Sequence, residues 1–93
     1  MMRVQHEPQR HRFSLEVAGG TAELVYRPLS DGIVELVHTG VPEAAAGQGI
    51  AGQLAQAAFD WARFTGTRLV VTCPYVRRWL ERHPEQRDLV QTG

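Results

Sequence analysis

Cysteine is nearly missing from this chain: Cys73 is its one thiol in 93 residues. A single thiol makes no internal disulfide, so the fold must hold by packing. It gives the four scattered histidines no ligand cluster for zinc either. Net charge is also missing, with ten Lys plus Arg against ten Asp plus Glu. Nothing therefore draws the whole molecule to nucleic acid or to anionic lipid, and neither is an expected partner. No apolar run approaches the roughly 20 residues of a membrane span. The start, MMRVQHEPQRHRF, lacks the apolar stretch of a signal peptide, so a cytoplasmic protein is expected. There is no repeat, linker or low-complexity tract. A Gly-Lys-Ser/Thr triplet is absent, which excludes a P-loop.

What is present suits one domain over residues 1–93, since 43 % apolar content can fill a single thin core. Residues 1–11 are polar and unpatterned, so a loose start is expected, with His6, Arg10, His11 and Arg12 in solvent. Alternation then sets in. Phe13, Leu15 and Val17 lead into Gly19-Gly20, and Ala22, Leu24 and Tyr26 lead out, which reads as a hairpin. A turn at Ser30-Asp31-Gly32 precedes a third strand over 33–38. From Gly49 the period changes: Ile50, Leu54, Ala57, Ala58, Trp61 and Ala62 mark a helix, and Gly66 suits its C-terminal end. RLVVTC reads as a buried strand, and Pro74 opens a helix that Pro84 closes. The fold class is α/β, in the α+β sense of a mixed sheet. An antiparallel meander is followed by a β-α-β crossover and a C-terminal helix, and the strands flanking the crossover are parallel. The tail after Pro84 is too short to read.

Gly47, Gly49 and Gly52 crowd the start of the long helix. Gly47-Gln48-Gly49-Ile50-Ala51-Gly52 matches G-x-G-x-x-G, yet a dinucleotide site fits poorly. The glycines lie some way beyond the strand end, and no Asp or Glu closes the next strand to bind a ribose. A flexible turn before a helix is the plainer reading. The alternative is an anion held by backbone N–H groups at the helix start, because no Lys or Arg lies within residues 44–52.

These residues resemble the acyl-CoA-binding motif of the GCN5-related N-acetyltransferases, Gln/Arg-x-x-Gly-x-Gly/Ala. Gly49 and Ala51 match it, while Ala46 replaces its first residue. HTGVP, GQGIAGQL and TCPYVRRWLERHPEQRDLV together are similar to a small single-domain subgroup carrying Cys-Pro and His-Pro-Glu-Tyr. That likeness runs from Phe13 to Val90, and Gln86 stands where the subgroup has its Tyr. The resemblance implies a minimal acyl-CoA N-acyltransferase fold, with acetyl-CoA as cofactor and an amine as acceptor. It implies that two parallel strands splay and that the pantetheine arm lies between them. Backbone groups of Thr39, Gly40 and Val41 would bond its amides. Those of Gly47, Gln48, Gly49, Ile50, Ala51 and Gly52 would hold the pyrophosphate. Donors near residues 37–39 would polarise the thioester carbonyl.

Two readings stand for Cys73. It ends a strand just before a helix, where a thiolate is favoured and could carry the acetyl group; or it is a small hydrophobe lining the splay. His38 ends the neighbouring strand, so its ring is expected near Cys73. It is a candidate base for an ammonium substrate, or else a polar edge residue. His83 reads as a helix stop. Tyr75, Val76 and Trp79 read as core. Arg77, Arg78 and Arg82 read as a solvated face, with Arg78 the candidate for a CoA phosphate. The larger relatives carry helices where Gly19-Gly20 makes a turn here. The acceptor cleft is thus expected to be open or completed by a protein partner. The rival functions are a CoA-binding module without efficient catalysis, acting as a sensor or partner regulator, and a small interaction domain with no ligand.

Overall fold

The computed structural model describes residues 3–91. Seven regular elements follow in order: β1 (Gln5–Glu7), β2 (Arg12–Val17), β3 (Gly20–Ser30), β4 (Ile33–Gly40), α1 (Ile50–Thr65), β5 (Arg68–Val71) and α2 (Pro74–Arg82). They form one sheet in the order β1-β2-β3-β4-β5. The first four strands pair antiparallel, and β4 pairs β5 in parallel across α1. The mixed α/β class, the meander and the crossover are therefore as the sequence predicts.

Period-two alternation divides the sheet into two faces. Phe13, Leu15, Ala22, Leu24, Tyr26 and Leu36 are buried under the helices. Helix α1 lays Ile50, Leu54, Ala55, Ala58, Phe59 and Ala62 on that face. Gly66, at φ 74°, ends it in the left-handed conformation that glycine takes without strain. Helix α2 packs beside α1, with Phe59 and Trp79 rings 5.0 Å apart. The opposite face is polar. Arg12 bridges Glu7 and Glu23 at 2.9 Å each, and Arg27 pairs with Glu35. No helix among the described residues is long and apolar enough to cross a membrane.

One segment differs from expectation, and the tail left unread in the sequence has structure as well. Residues 5–7 form an edge strand rather than a loose start. His6 is half-buried, stacked on Phe13 at 4.4 Å and edge-on to Trp61 at 5.0 Å. Its Nε2 lies 2.7 Å from the Tyr26 hydroxyl. Arg12 is likewise paired and not free in solvent. The short tail is ordered too: residues 84–89 form a 3₁₀ turn that buries Gln86 and Leu89. Beyond it, the Gln91 N–H donates to Leu69 O at 2.7 Å.

Candidate functional site

Strands β4 and β5 run in register from Ile33↔Arg68 to Leu36↔Val71 and then part. The N–H groups of Thr72 and Cys73 both donate to Leu36 O, at 3.1 and 3.0 Å. Residues 68 and 72 point their N–H groups at β4, so the next donor in that alternation would be residue 74. It is Pro74, which has none, and it starts α2. Strand β4 meanwhile continues along β3 to Gly40. The result is a fork whose β4 arm carries backbone groups released from β5.

A bulge sits at the fork. The β3–β4 register moves from Tyr26↔Leu36 to Val25↔His38, which leaves Val37 without a residue opposite. One extra residue exchanges the faces of everything beyond it. Thr39, paired with Leu24, therefore faces the helices, and its Oγ1 lies 3.2 Å from Cys73 Sγ. His38, paired with Val25, is turned to the polar face and is exposed. Its ring lies along the strand, with Nε2 3.2 Å from where a Cβ on Gly40 would be. The expected closeness of His38 and Cys73 is thus corrected: Thr39 takes that place. Without the bulge, His38 would share the face of Leu36. Cys73 is 2 % exposed and caps α2 with its backbone alone.

The glycine segment is a short turn followed by a bare helix start. Gly47 and Gly49 have φ of 80° and 76°, a conformation that L side chains rarely adopt. No side chain caps α1, and the Gln53 N–H closes its first turn on Gly49 O at 3.2 Å. The N–H groups of Ile50, Ala51 and Gly52 precede that turn and have no partner within the helix. A Cβ on Gly47 or Gly49 would meet nothing within 4 Å, so the space before these backbones is open. Here a groove of about 290 Å³ runs from Val41 along residues 45–47 and 49–52 to Tyr75. Gly49, Gly52 and Tyr75 also line a second groove of about 490 Å³ between α1 and α2. Gln53, Gln56, Arg78, Trp79, Arg82 and His83 complete its walls.

Among the residues named from sequence, Val41 and all of the glycine segment except Gln48 line this space; Gln48 is exposed beside it. Thr39 and Gly40 lie on the β4 arm of the fork. Arg78 and Arg82 form a wall of the second groove rather than a plain solvated face. Tyr75, expected in the core, is half-buried and lines both grooves; burial raises its phenol pKa. Trp79 is buried as expected, yet it too borders the groove and stacks on His83 at 4.1 Å. Gln86 is buried and accepts from Arg63 Nη2 at 3.0 Å, which ties the tail to α1. The spacing of Tyr75, Arg78 and Arg82 along one helical stripe could have marked them as sharing a wall.

Residues 12–89 match the family model described as GCN5-related N-acetyl-transferase. Protein NATD1 of Mus musculus is 38 % identical over 85 residues, covering 89 % of this chain and 77 % of that relative. The Homo sapiens counterpart is 35 % identical over 85 residues, covering 89 % and 75 %. A GCN5-like protein of Staphylococcus aureus, solved by NMR, superposes with a TM-score of 0.75 at 22 % identity, covering 98 % of this chain and 89 % of that one. Forked parallel strands, a helix started on glycine and a family match over most of the sequence agree, and the chain belongs to the GCN5-related N-acetyltransferase family.

Proposed function

We propose that the protein is an acetyl-CoA-dependent N-acetyltransferase acting on an amine, one borne by a protein among the candidates. The observation that carries this reading is that the β4 arm of the fork ends at Gly40, next to Val41, where the open groove along the glycine-started helix begins. The glycine segment fits a pyrophosphate: its backbone donors are unpartnered within the helix, and the space a Cβ would fill is free. Backbone groups of Gly47 through Gly52, Gln48 included, would hold it. Thr39, Gly40 and Val41 would pair with the pantetheine amides along the freed β4 arm. Arg78 and Arg82 supply positive charge for the remaining phosphate. When bound, acetyl-CoA supplies the acetyl group as an activated thioester.

The chain's own contribution is electrostatic. Backbone donors at residues 37–39, beside the bulge and the fork, would stabilise negative charge on a carbonyl oxygen. Thr39 and Cys73 line the apex, and we assign Cys73 a lining role with direct attack by the amine. His38 lies on the polar face, so a base role there requires the amine to arrive from that side. An acceptor reaching the fork from the sheet's polar face meets no covering helix among the described residues, in keeping with a bulky amine.

A CoA-binding module with little turnover is the second reading. Its support is Ala46 in place of the motif's first residue and Gln86, a buried amide, in place of a phenol. Calorimetry with acetyl-CoA followed by an amine-panel acetylation screen separates the two. Binding with turnover is expected; binding without turnover would favour the module; no binding at millimolar acetyl-CoA would overturn both. Cys73→Ala should keep binding and turnover, with a stability loss below the ~2–5 kcal/mol of larger core truncations. The chain has ten arginines and no lysine. An acetyl adduct on the protein is therefore sought first at Cys73 and the N-terminal amine, and an adduct at Cys73 with an inactive, folded Cys73→Ala would make the thiol the carrier.

A further inference from the structure

We propose that Arg27, Glu35 and Thr72 form a clamp that fixes the point where β4 and β5 part, making Glu35 and Thr72 positioning residues for cofactor binding. This rests on the acetyl-CoA reading above and concerns the face opposite Thr39 and Cys73. Arg27 on β3 donates to Glu35 Oε1 on β4 through Nε, at 3.1 Å, and through Nη2. Thr72, the residue after β5, donates its hydroxyl to Glu35 Oε2 at 2.6 Å. The same hydroxyl lies 3.3 Å from Leu36 O, the carbonyl that also accepts the Thr72 and Cys73 N–H groups. Three successive strands are thus tied together one residue before the fork.

Glu35 is 8 % exposed and is the one buried carboxylate among the described residues. Burying a carboxylate is costly unless donors replace the lost water, and here each oxygen has one. The Thr72 hydroxyl first and the Arg27 guanidinium second hold its carboxyl below the usual range. With both oxygens engaged and little proton affinity near neutrality, Glu35 is poorly suited to take a proton from an ammonium. Its geometry suits holding instead. Pro74 denies β5 a further ladder donor, and the Thr72 hydroxyl adds a side-chain tie to the two N–H bonds on Leu36 O that set the direction in which the chain leaves. Without that tie the 72–73 peptide is held by its N–H bonds to Leu36 O alone, and Cys73 and the width of the fork at Thr39 are less firmly fixed.

The test uses three variants of the full chain: Thr72→Val, which keeps the shape and removes the hydroxyl, Thr72→Ser, which restores it, and Glu35→Gln. Thr72 is exposed, so neither of its substitutions threatens folding. Calorimetric acetyl-CoA affinity should fall about tenfold or more in Thr72→Val and stay within about twofold of the parent in Thr72→Ser. Glu35→Gln should fall between them, since an amide accepts from one donor but cannot pair with the guanidinium as a carboxylate does. A merely structural role would lower Tm in Thr72→Val and leave affinity unchanged, and that result overturns the clamp. Hydrogen exchange gives a readout free of ligand: the Cys73 amide should exchange about tenfold faster or more in Thr72→Val. If the parent fails to bind acetyl-CoA, the functional reading falls while the exchange data still decide the clamp, and unchanged exchange rejects it.

Discussion

Gly52 is the third residue of α1 and, unlike Gly47 and Gly49, has ordinary helical backbone. Alanine there should favour the helix by roughly 0.5–1 kcal/mol, because it restricts the unfolded chain. Its Cβ would stand 3.4 Å from the Tyr75 hydroxyl and 3.9 Å from Trp79 Nε1, contacts the fold accommodates. Tyr75 lines both grooves and Trp79 the larger one, so the added methyl would project into the proposed phosphate path. Stability and affinity should therefore move in opposite directions. Gly52→Ala is expected to melt at the parent temperature or above, and to bind acetyl-CoA about tenfold more weakly, a loss of ~1.4 kcal/mol. A thermal scan and a calorimetric titration check both, and undiminished affinity would take the phosphate away from the first turn of α1.

At the scale of elements, the β2–β3 turn bears on the loop that leads into α1. A Cβ on Gly19 would come within 3.0 Å of Ala44 Cβ and 3.4 Å of Pro42 Cβ, at a φ of +87°. Gly32, in the next turn, has a similar φ of +76° but nothing within 4 Å. Gly32→Ala thus carries backbone strain alone, about 1–2 kcal/mol, whereas Gly19→Ala adds a clash with the loop. Each kcal/mol lowers Tm by ~4–8 °C in a domain of this size. Gly19→Ala should melt lower than Gly32→Ala, and it alone should weaken acetyl-CoA binding; equal behaviour would show that the turn does not buttress the loop. The hairpin, the crossover and the glycine-started helix were all legible in the sequence, because each announces itself through local period or turn residues. The bulge at Val37 was not, since residues 33–37 put apolar side chains on both parities and give no sign of an extra residue. That one residue decides whether His38 or Thr39 faces Cys73. Strand β1 escaped for another reason: its three residues are too few to show alternation, and His6 is held by Phe13, Tyr26 and Trp61 from other elements. The groove walls at Tyr75, Arg78 and Arg82 were hidden because an amphipathic helix does not reveal what its half-buried edge borders.

The whole molecule carries few titrating groups whose environment differs between folded and unfolded states, and their signs fix its response to pH. Burial lowers the His6 pKa below its ordinary 6.5, so folding prefers the neutral ring. Stability from this group is complete above the unfolded value and is lost as pH falls through 6.5 toward the folded value. Glu7, Glu35 and Asp88 are also lowered, chiefly by hydrogen bonds from Ser14, Thr72 and Arg63 respectively. Their contribution is complete above their ordinary values of 4.5, 4.5 and 3.8 and fades below them. Burial raises the Tyr26 and Tyr75 phenols above 10.0, so that part is complete below 10.0 and is lost as pH rises beyond it. Tm should therefore be level from about pH 7 to about pH 10 and fall at both ends, the acid side in two stages. His6→Gln should remove the first acid stage, near and below 6.5, and leave the second, below 4.5, in place. Melting curves recorded at half-unit pH intervals on parent and variant measure this directly. A Tm that rises as pH falls from 7 to 5, or an acid limb identical in the two proteins, would show that the ring between Phe13 and Trp61 is not held neutral by the fold.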